Sequence, residues 1–304
     1  MAHNTLNSGT VTEIGGGKAL LNDTVYEVKS GKALSNGTVY NIEFEPELPA
    51  KKVLNDMTWE EIRIVSDAGQ AENYFAVGDL KGVDFHGTVG ELSLSATYYC
   101  MIIGINHNSE LEGTNTIHFQ FGCTALSGGK QIALVDSKYD KRVQDKGYFV
   151  MNPSGIGKNS GGWKSCYLRE AIIPQFKNAM PLELQSVLKA VNKYTDNTGG
   201  GSGSKEANIS ATNDEIFLLS PYEVAAKSSS GNAHEPKYQK QYAWYANGNS
   251  AVRYKHSSTG SKVYWFLRSP CYDESTGFCQ IKPDGSTSSS TSNWGRGISP
   301  AFCV

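Results

Sequence analysis

A motif returns every 14 residues through the first 44 positions. Thr10-Val11-Thr12-Glu13-Ile14, Thr24-Val25-Tyr26-Glu27-Val28 and Thr38-Val39-Tyr40-Asn41-Ile42 are copies of one pattern, and Gly17-Lys18-Ala19-Leu20 returns as Gly31-Lys32-Ala33-Leu34. Leu6 holds the same phase in a degenerate first copy. Asn22-Asp23 and Asn36-Gly37 lie between half-repeats, and Asn-Gly between β-formers favours a type I′ hairpin turn, whose central residues take positive φ. Each unit therefore predicts strand, tight turn, strand, with Gly15-Gly16-Gly17 or Ser30-Gly31 turning into the next. Such a unit is too small to bury an apolar face alone. The alternation of Val25 and Glu27 against Tyr26 and Val28 leaves no clean polar side either. The missing core has two sources. Other copies of the chain, three of them closing a β-prism, are the natural one; the other is packing against the chain's own main domain.

Residues 1–44 are thus read as an all-β hairpin module for trimerisation, 45–56 as a linker stiffened by Pro46 and Pro49, and 57–304 as the main domain. Thr58-Trp59-Glu60-Glu61 is a capping box, with Met57 and Ile62 at the staple positions, and predicts a helix that stops near Gly69. Tyr74–Val77, Tyr98–Ile105, Ile117–Cys123, Ile132–Val135 and Glu215–Ser220 read as strands. Trp163–Ile173 reads as a second helix ended by Pro174. Pro181 opens a third, with Leu184, Val187, Leu188 and Val191 at helical spacing. Asp196–Ser210 has the composition of a flexible surface loop. The five aromatics Tyr238, Tyr242, Trp244, Tyr245 and Tyr254 read as packing under a long segment, or as the wall of a site. Helices laid on a sheet of this kind make an α+β domain.

Composition narrows the function classes. The 28 Lys and Arg against 30 Asp and Glu give a net charge of −2 with no basic block, which argues against nucleic acid as a partner. No apolar run approaches the roughly 20 residues of a spanning helix, so membrane insertion is not expected. The N-terminus lacks the charged and apolar regions of a signal peptide. None of the six cysteines forms a CxxC pair, and the six histidines are scattered outside HExxH or Ser/His/Asp arrangements. Gly199-Gly200-Gly201 lacks the Lys-Ser/Thr of a phosphate loop. Asp273-Glu274 is an adjacent carboxylate pair, but neighbours in a loop need not converge. The expectation is a protein without catalytic residues, metal or cofactor.

The closing stretch carries the sharper signal. Val263–Leu267 and Ile298–Val304 are apolar runs that anchor the chain. Between them lie small, polar and aromatic residues around Lys282-Pro283-Asp284-Gly285-Ser286, a turn built on proline φ, an aspartate bonding its own backbone and a glycine at positive φ. Ile281 alone looks buried, with Thr287 its cross-strand partner, and alternation turns Gln280, Lys282, Ser286 and Ser288 outward. A rigid frame presenting Ser, Tyr, Trp and Asn is how paratopes are composed; a merely solvated hairpin has the same composition.

Trp265-Phe266-Leu267-Arg268-Ser269-Pro270, followed by Gly297-Ile298-Ser299-Pro300-Ala301-Phe302, resembles the WWLRSP and GVRPAF boxes that close a bacterial and phage domain of C-type-lectin-like fold. Phe266 replaces the second Trp, and Ser299 stands where Arg is common. Gly161-Gly162-Trp163, Leu168-Arg169 and Glu215–Ser220 also resemble the family, which covers roughly Met57 to Val304. Members resemble variable proteins of diversity-generating retroelements, in which the residues between the boxes are rewritten at adenines to sample new ligands. Cys271, Tyr272, Asp273, Ser275, Phe278, Cys279 and Asn293 are side chains that rewritten Asn-type codons encode.

The resemblance, with repeats 1–44 similar to the shafts and attachment modules of phage tail fibres, implies a homotrimeric phage tail-tip receptor-binding protein whose N-terminal module serves trimerisation and attachment. It would be made in the bacterial cytoplasm, carried on tail or baseplate proteins, and would bind a host cell-surface protein or glycan. A bacterial surface-displayed adhesin or decoration protein, and a purely structural tail component, share the features. The implied ligand surface lies within 271–296. Its first loop supplies Tyr272, Asp273, Glu274, Ser275, Thr276 and Phe278. The hairpin supplies Gln280, Lys282, Ser286, Ser288 and Ser290, and the return loop Ser292, Asn293 and Trp294. Tyr272, Phe278 and Trp294 are its expected aromatic anchors. Lectins of this fold often use calcium, but Asp273, Glu274, Asp284 and Asn293 do not form the Glu-Pro-Asn type of motif, so no metal is expected. Formylglycine-generating enzymes share the fold and use a C-terminal cysteine pair, a remote alternative invited by Cys271 and Cys279. Those two thiols flank the polar loop and can pair, although cytoplasmic synthesis favours free thiols. Arg268, following buried aromatics, is expected to be a structural ion-pair partner rather than a ligand contact.

Overall fold

A computed structural model describes residues 48–135, 149–154 and 158–304 in full and, of residues 2–43, the main chain of the strands. The chain divides into two compact units, Met1–Ala50 and Lys51–Val304.

The first unit is three antiparallel hairpins. β1 (Ala2–Asn7) pairs with β2 (Thr10–Gly15), β3 (Lys18–Leu21) with β4 (Thr24–Glu27), and β5 (Ser30–Ser35) with β6 (Thr38–Glu43). The registers close on Asn7↔Thr10, Leu21↔Thr24 and Ser35↔Thr38, so two residues separate the strands of each hairpin. The turns expected at Asn22-Asp23 and Asn36-Gly37 fall outside the described residues, as does Gly16-Gly17. Ser30 and Gly31, expected to turn, are instead the first residues of β5. Ser30 pairs with Glu43 and Gly31 with Ile42, and Gly15 pairs with Ala2 at the end of β2, so ladder pairing extends over positions expected to turn.

The second unit is α+β. Its strands in chain order are β7 (Leu80–Val89), β8 (Leu92–Ile105), β9 (Ile117–Cys123), β10 (Ile132–Ala133), β11 (Val191–Asp196), β12 (Ile209–Asp214), β13 (Ile216–Phe217), β14 (Arg253–Lys255), β15 (Ser258–Val263), β16 (Trp265–Pro270), β17 (Gly277–Ile281), β18 (Thr287–Thr291) and β19 (Ala301–Cys303). The largest sheet is antiparallel, in the order β13-β19-β9-β8-β7. Smaller sheets are β16-β17-β18, β10-β14-β15 and the pair β11-β12, and β10 meets β14 in parallel. No closed barrel occurs among the described residues. Likewise, no described helix is long and apolar enough to cross a membrane.

The final strand sits inside the large sheet, between β13 and β9, with Phe302 stacked on Phe119 at 5.3 Å. Every residue from Ala301 to Val304 is fully buried. β9 alternates apolar and polar side chains, yet all seven residues are buried, because its polar face meets polar partners. His118 Nδ1 lies 2.9 Å from the Tyr242 hydroxyl, and Gln120 Oε1 accepts the Tyr245 hydroxyl at 2.6 Å. Tyr242 and Tyr245 are thereby core residues. The helix Trp59–Asp67 carries the expected capping box: Glu61 N–H donates to Thr58 Oγ1 at 3.1 Å, and Thr58 N–H to Glu61 Oε2 at 2.8 Å.

Several expectations differ from the structure. Tyr74–Val77 is no strand: Ala71–Tyr74 makes a helical turn, and Ala76 N–H donates to Asp79 Oδ2 at 2.8 Å, a local bond that competes with extension. Pro174 does not end a helix. It sits in the first turn of Ile173–Asn178, where its missing N–H costs nothing, and a π-helical stretch at Leu168–Ile172 precedes it. The helix opened by Pro181 lasts one turn, Leu182–Gln185, and Val191 belongs to β11, because pairing with β12 outweighs a helical spacing of apolar residues. Leu54 of the expected linker is buried, and Asn55 Oδ1 accepts Gly82 N–H at 2.8 Å, so residues 51–56 pack into the second unit.

The stretch 196–210 is not a loose spacer. Asp196 is fully buried, and its Oδ1 accepts the N–H groups of Thr198 and Gly199 at 3.1 and 3.0 Å. Asn208 Nδ2 donates to Ser202 Oγ and Gly203 O. Glycines here supply positive φ to a folded loop, with Gly199 at φ +55°.

Candidate functional site

β16 leaves the core with Trp265, Phe266 and Leu267 fully buried and pairs with β17 through Trp265↔Ile281 and Phe266↔Gln280. The register shifts between Phe266 and Pro270, and the chain enters the loop 271–276. One side chain holds that loop. Asn159 Nδ2 is 3.1, 2.9 and 2.7 Å from the carbonyl oxygens of Cys271, Glu274 and Gly277, while its Oδ1 accepts Gly200 N–H at 2.7 Å. A Cβ on Gly277 would stand 2.0 Å from Glu274 Oε1 and 2.8 Å from Cys271 Sγ, so a larger residue there would displace both side chains. The return hairpin is built as its residues require: Asp284 Oδ1 accepts Ser286 N–H at 2.9 Å and Ser286 Oγ–H at 2.6 Å, and Gly285 takes φ +87°. Ile281 faces Thr287, the expected pair.

On the face of this hairpin lies a groove of ≈ 450 Å³. Of the expected site residues, Glu274, Gln280, Lys282, Ser288, Ser290 and Trp294 line it. Sequence reasoning missed Ser289, Thr291, Tyr264 and Arg296, which complete the described lining. Arg296 is buried, with its guanidinium 5.1 Å from the Tyr264 ring centre and 5.4 Å from that of Trp294. Its Nε donates to Gln280 Oε1 at 2.6 Å, and Gln280 Nε2 donates to Ser289 O at 2.7 Å. The signal for Arg296 was its place between Gly295 and Gly297. A Cβ on Gly297 would meet Ala133 Cβ at 2.9 Å, a close approach that lets the segment sink into the fold.

The remaining expected residues do not line the groove. Asp273, Ser275 and Ser286 are exposed, and Thr276 is half-buried. Tyr272 is half-buried, its N–H donating to Ser230 O at 3.0 Å and its carbonyl accepting Gly203 N–H at 2.9 Å. Phe278 is fully buried in the hydrophobic core and is no surface anchor, and Cys279, Gln280 and Cys271 are buried too, so Ile281 is far from alone. Alternation says which residues share a face of a strand; it does not say that the face is open. Gln280 is accordingly a floor residue rather than an outward one. Ser292 and Asn293 are buried as well. Ser292 N–H donates to Thr276 O at 2.8 Å, and Asn293 Nδ2 to Ser154 Oγ at 2.9 Å. All six cysteines are buried free thiols.

Behind the hairpin lies a buried ionic network that sequence foresaw only at Arg268. The guanidinium of Arg268 makes a bidentate pair with Glu223, and its Nε donates to Thr195 Oγ1 at 2.7 Å. Lys193 Nζ reaches Glu112 Oε2 at 2.7 Å, Glu223 Oε1 at 3.0 Å and the Tyr242 hydroxyl at 3.0 Å. Burial raises the Glu223 carboxyl, but the Arg268 and Lys193 charges outweigh it and hold the group well below the usual carboxylate range. Burial also raises Glu112, against the opposing pull of Lys193. Glu235, accepting from Ser269 Oγ at 2.7 Å and Asp196 N–H at 2.9 Å, is pushed up to about 7 by burial.

His107, Glu112 and Glu223 lie close enough to hold a metal, yet the Lys193 ammonium already stands on both carboxylates as their cation. Cys303 Sγ lies 3.1 Å from His118 Nδ1, both enclosed. Burial lowers the histidine and raises the thiol, which opposes a thiolate–imidazolium pair. The groove gathers hydroxyls, an ammonium, a carboxylate and aromatic side chains over a fixed amide–guanidinium floor.

Residues 146–304, which contain the groove, match the family described as a domain of unknown function, DUF6273. No curated protein and no solved structure matches the chain.

Proposed function

We propose that this chain, which belongs to the DUF6273 family, is the receptor-binding protein of a phage tail tip. Its C-terminal, lectin-like domain would bind a host cell-surface ligand, and its N-terminal repeats would join three copies. The observation that carries the reading is the groove on the hairpin face, where variable-looking residues are presented by strands whose anchors are fully buried. A ligand surface needs this separation, because rigid support limits the ordering cost of binding. The trimer rests on the sequence of the repeats, whose hairpins are too small to bury a core singly. The retroelement resemblance accounts for the residues that 271–296 leaves open, among them Asp273, Ser275 and Ser288.

Binding of the full chain to a panel of intact bacterial cells, compared with Ser288→Trp, tests the site. Ser288 lines the groove, and an indole there should abolish binding while the melting temperature holds. Equal binding by the two proteins would remove the groove from the function. Light scattering of the full chain and of a form beginning at Met57 tests the assembly. A trimer that survives the truncation, or a full chain that is monomeric, would sink the role given to the repeats.

A further inference from the structure

The groove also points to the chemical class of its ligand, an inference that rests on the reading of this face as the binding surface. Gln280 and Arg296 are bonded to each other and to the main chain, so they form a floor and leave the walls to make contact. Ser290 is 7% exposed, lines the groove, and its Oγ has no partner among the described residues. A buried hydroxyl without a partner is costly, and a ligand at the groove wall supplies one once the side chain turns toward it. Ser288 beside it has only a 3.4 Å contact to Ser289 O. Serine hydroxyls both donate and accept, and Ser288 and Ser290, two positions apart in β18, share one face of the strand and line the groove.

Three ligand classes fit this wall poorly. An apolar peptide segment needs aliphatic or open aromatic pockets, and no described lining residue is aliphatic. A strongly anionic group needs excess positive charge. Lys282 lies 3.5 Å from Asp284 Oδ2, Arg296 is spent on the floor, and Glu274 adds a negative charge at the rim. A calcium-bridged ligand needs six or more oxygens around the ion, and Glu274 is the one carboxylate of the described lining. A chain of hydroxyls with flat apolar faces fits: its hydroxyls exchange hydrogen bonds with the serine row, and its ring faces lie against the half-exposed edges of Tyr264 and Trp294. The volume of ≈ 450 Å³ is that of a small-molecule site.

We infer that the groove binds a neutral saccharide unit of a bacterial surface polysaccharide directly, without a bridging metal ion.

The test uses full-length protein on intact cells of a bacterial panel and on purified, immobilised surface polysaccharides from the same strains. Cells are also treated with periodate, which cleaves vicinal diols, or with protease, and each measurement is repeated with a chelator. Binding should be lost after periodate, survive protease and chelator, and reappear on the purified polysaccharides. Ser288→Ala combined with Ser290→Ala, which removes two hydroxyls without filling the groove, should weaken it at least about tenfold. Protease-sensitive, periodate-resistant binding that Ser288→Trp abolishes would overturn the saccharide and leave the site standing, with a protein as ligand. Chelator-sensitive binding would overturn the direct mode. Binding indifferent to both groove variants would overturn the site reading itself, and no binding to any cell or polysaccharide would overturn both.

Discussion

Two regions that meet in the closing segment, the network at Arg268 and the groove at Ser288, treat polar atoms in opposite ways. The network around Arg268 is deep, charged and closely paired: Lys193 meets three acceptors, and Glu223 is shared by two cations. His107 Nε2 is the atom left over, on a ring stacked 3.6 Å from Tyr242. The groove is shallow and uncharged along its serine row, and Ser290 Oγ is left unpaired, as are Ser292 Oγ and Asn293 Oδ1 nearby in sequence. Buried charge is tolerable only when its partners are in place; a hydroxyl at a groove wall can wait for a ligand. The closing segment thus contributes Arg268 to the network and Ser288 and Ser290 to the groove.

The contrast breaks first if the network proves dispensable. Arg268→Ala leaves Glu223 buried beside Lys193 alone and should cost about 3–5 kcal/mol in urea unfolding. Trp265→Ala, an emptied core site beside it, should cost a similar ~3–5 kcal/mol. If either variant unfolds at the wild-type midpoint, the frame has been misplaced.

A pH series sharpens the same side. Burial holds Glu235 near 7 against an ordinary 4.5, so the folded state keeps a proton that the unfolded chain has released. Its contribution is fully present below about pH 4.5 and is lost as the pH rises to about 7, by ~3 kcal/mol if this group acts alone. The melting temperature should fall across that window. Glu235→Gln should flatten the profile, and an unchanged slope in that variant would assign the titration to another group.

The smallest effects are expected at the groove. Ser288→Ala and Thr291→Ala should each move stability by no more than about 0.5 kcal/mol, and Ser290→Ala, which removes a buried hydroxyl without a partner, should not lower it, while the two serine variants weaken cell binding. Serine variants as destabilising as Arg268→Ala would erase the distinction between frame and surface.

Much of the architecture is legible in the chain because it is local. The capping box at Thr58, the two-residue spacing within each repeat hairpin and the Pro283-Asp284-Gly285 turn depend on neighbours within a few positions, and residue chemistry there leaves few options. Ile281↔Thr287 follows from that turn, since hairpin geometry sets the register. The buried ends of the closing segment are likewise evident from Trp265–Leu267 and Ala301–Val304, whose apolar area has to be covered.

What tertiary structure alone decided is which faces are covered and which distant atoms meet. Phe278 and Gln280 share a strand face with Lys282, and packing buries the first, makes the second a floor and leaves the third at the rim. Asn159 gathers the carbonyls of a loop more than a hundred positions away, and Lys193 joins Glu112 to Glu223. Arg296 meets Gln280, sixteen positions before it, and the ring of Tyr264 only in the folded chain. Local sequence sets a residue's conformation, but desolvation and pairing depend on the whole set of neighbours, and those are chosen by the fold.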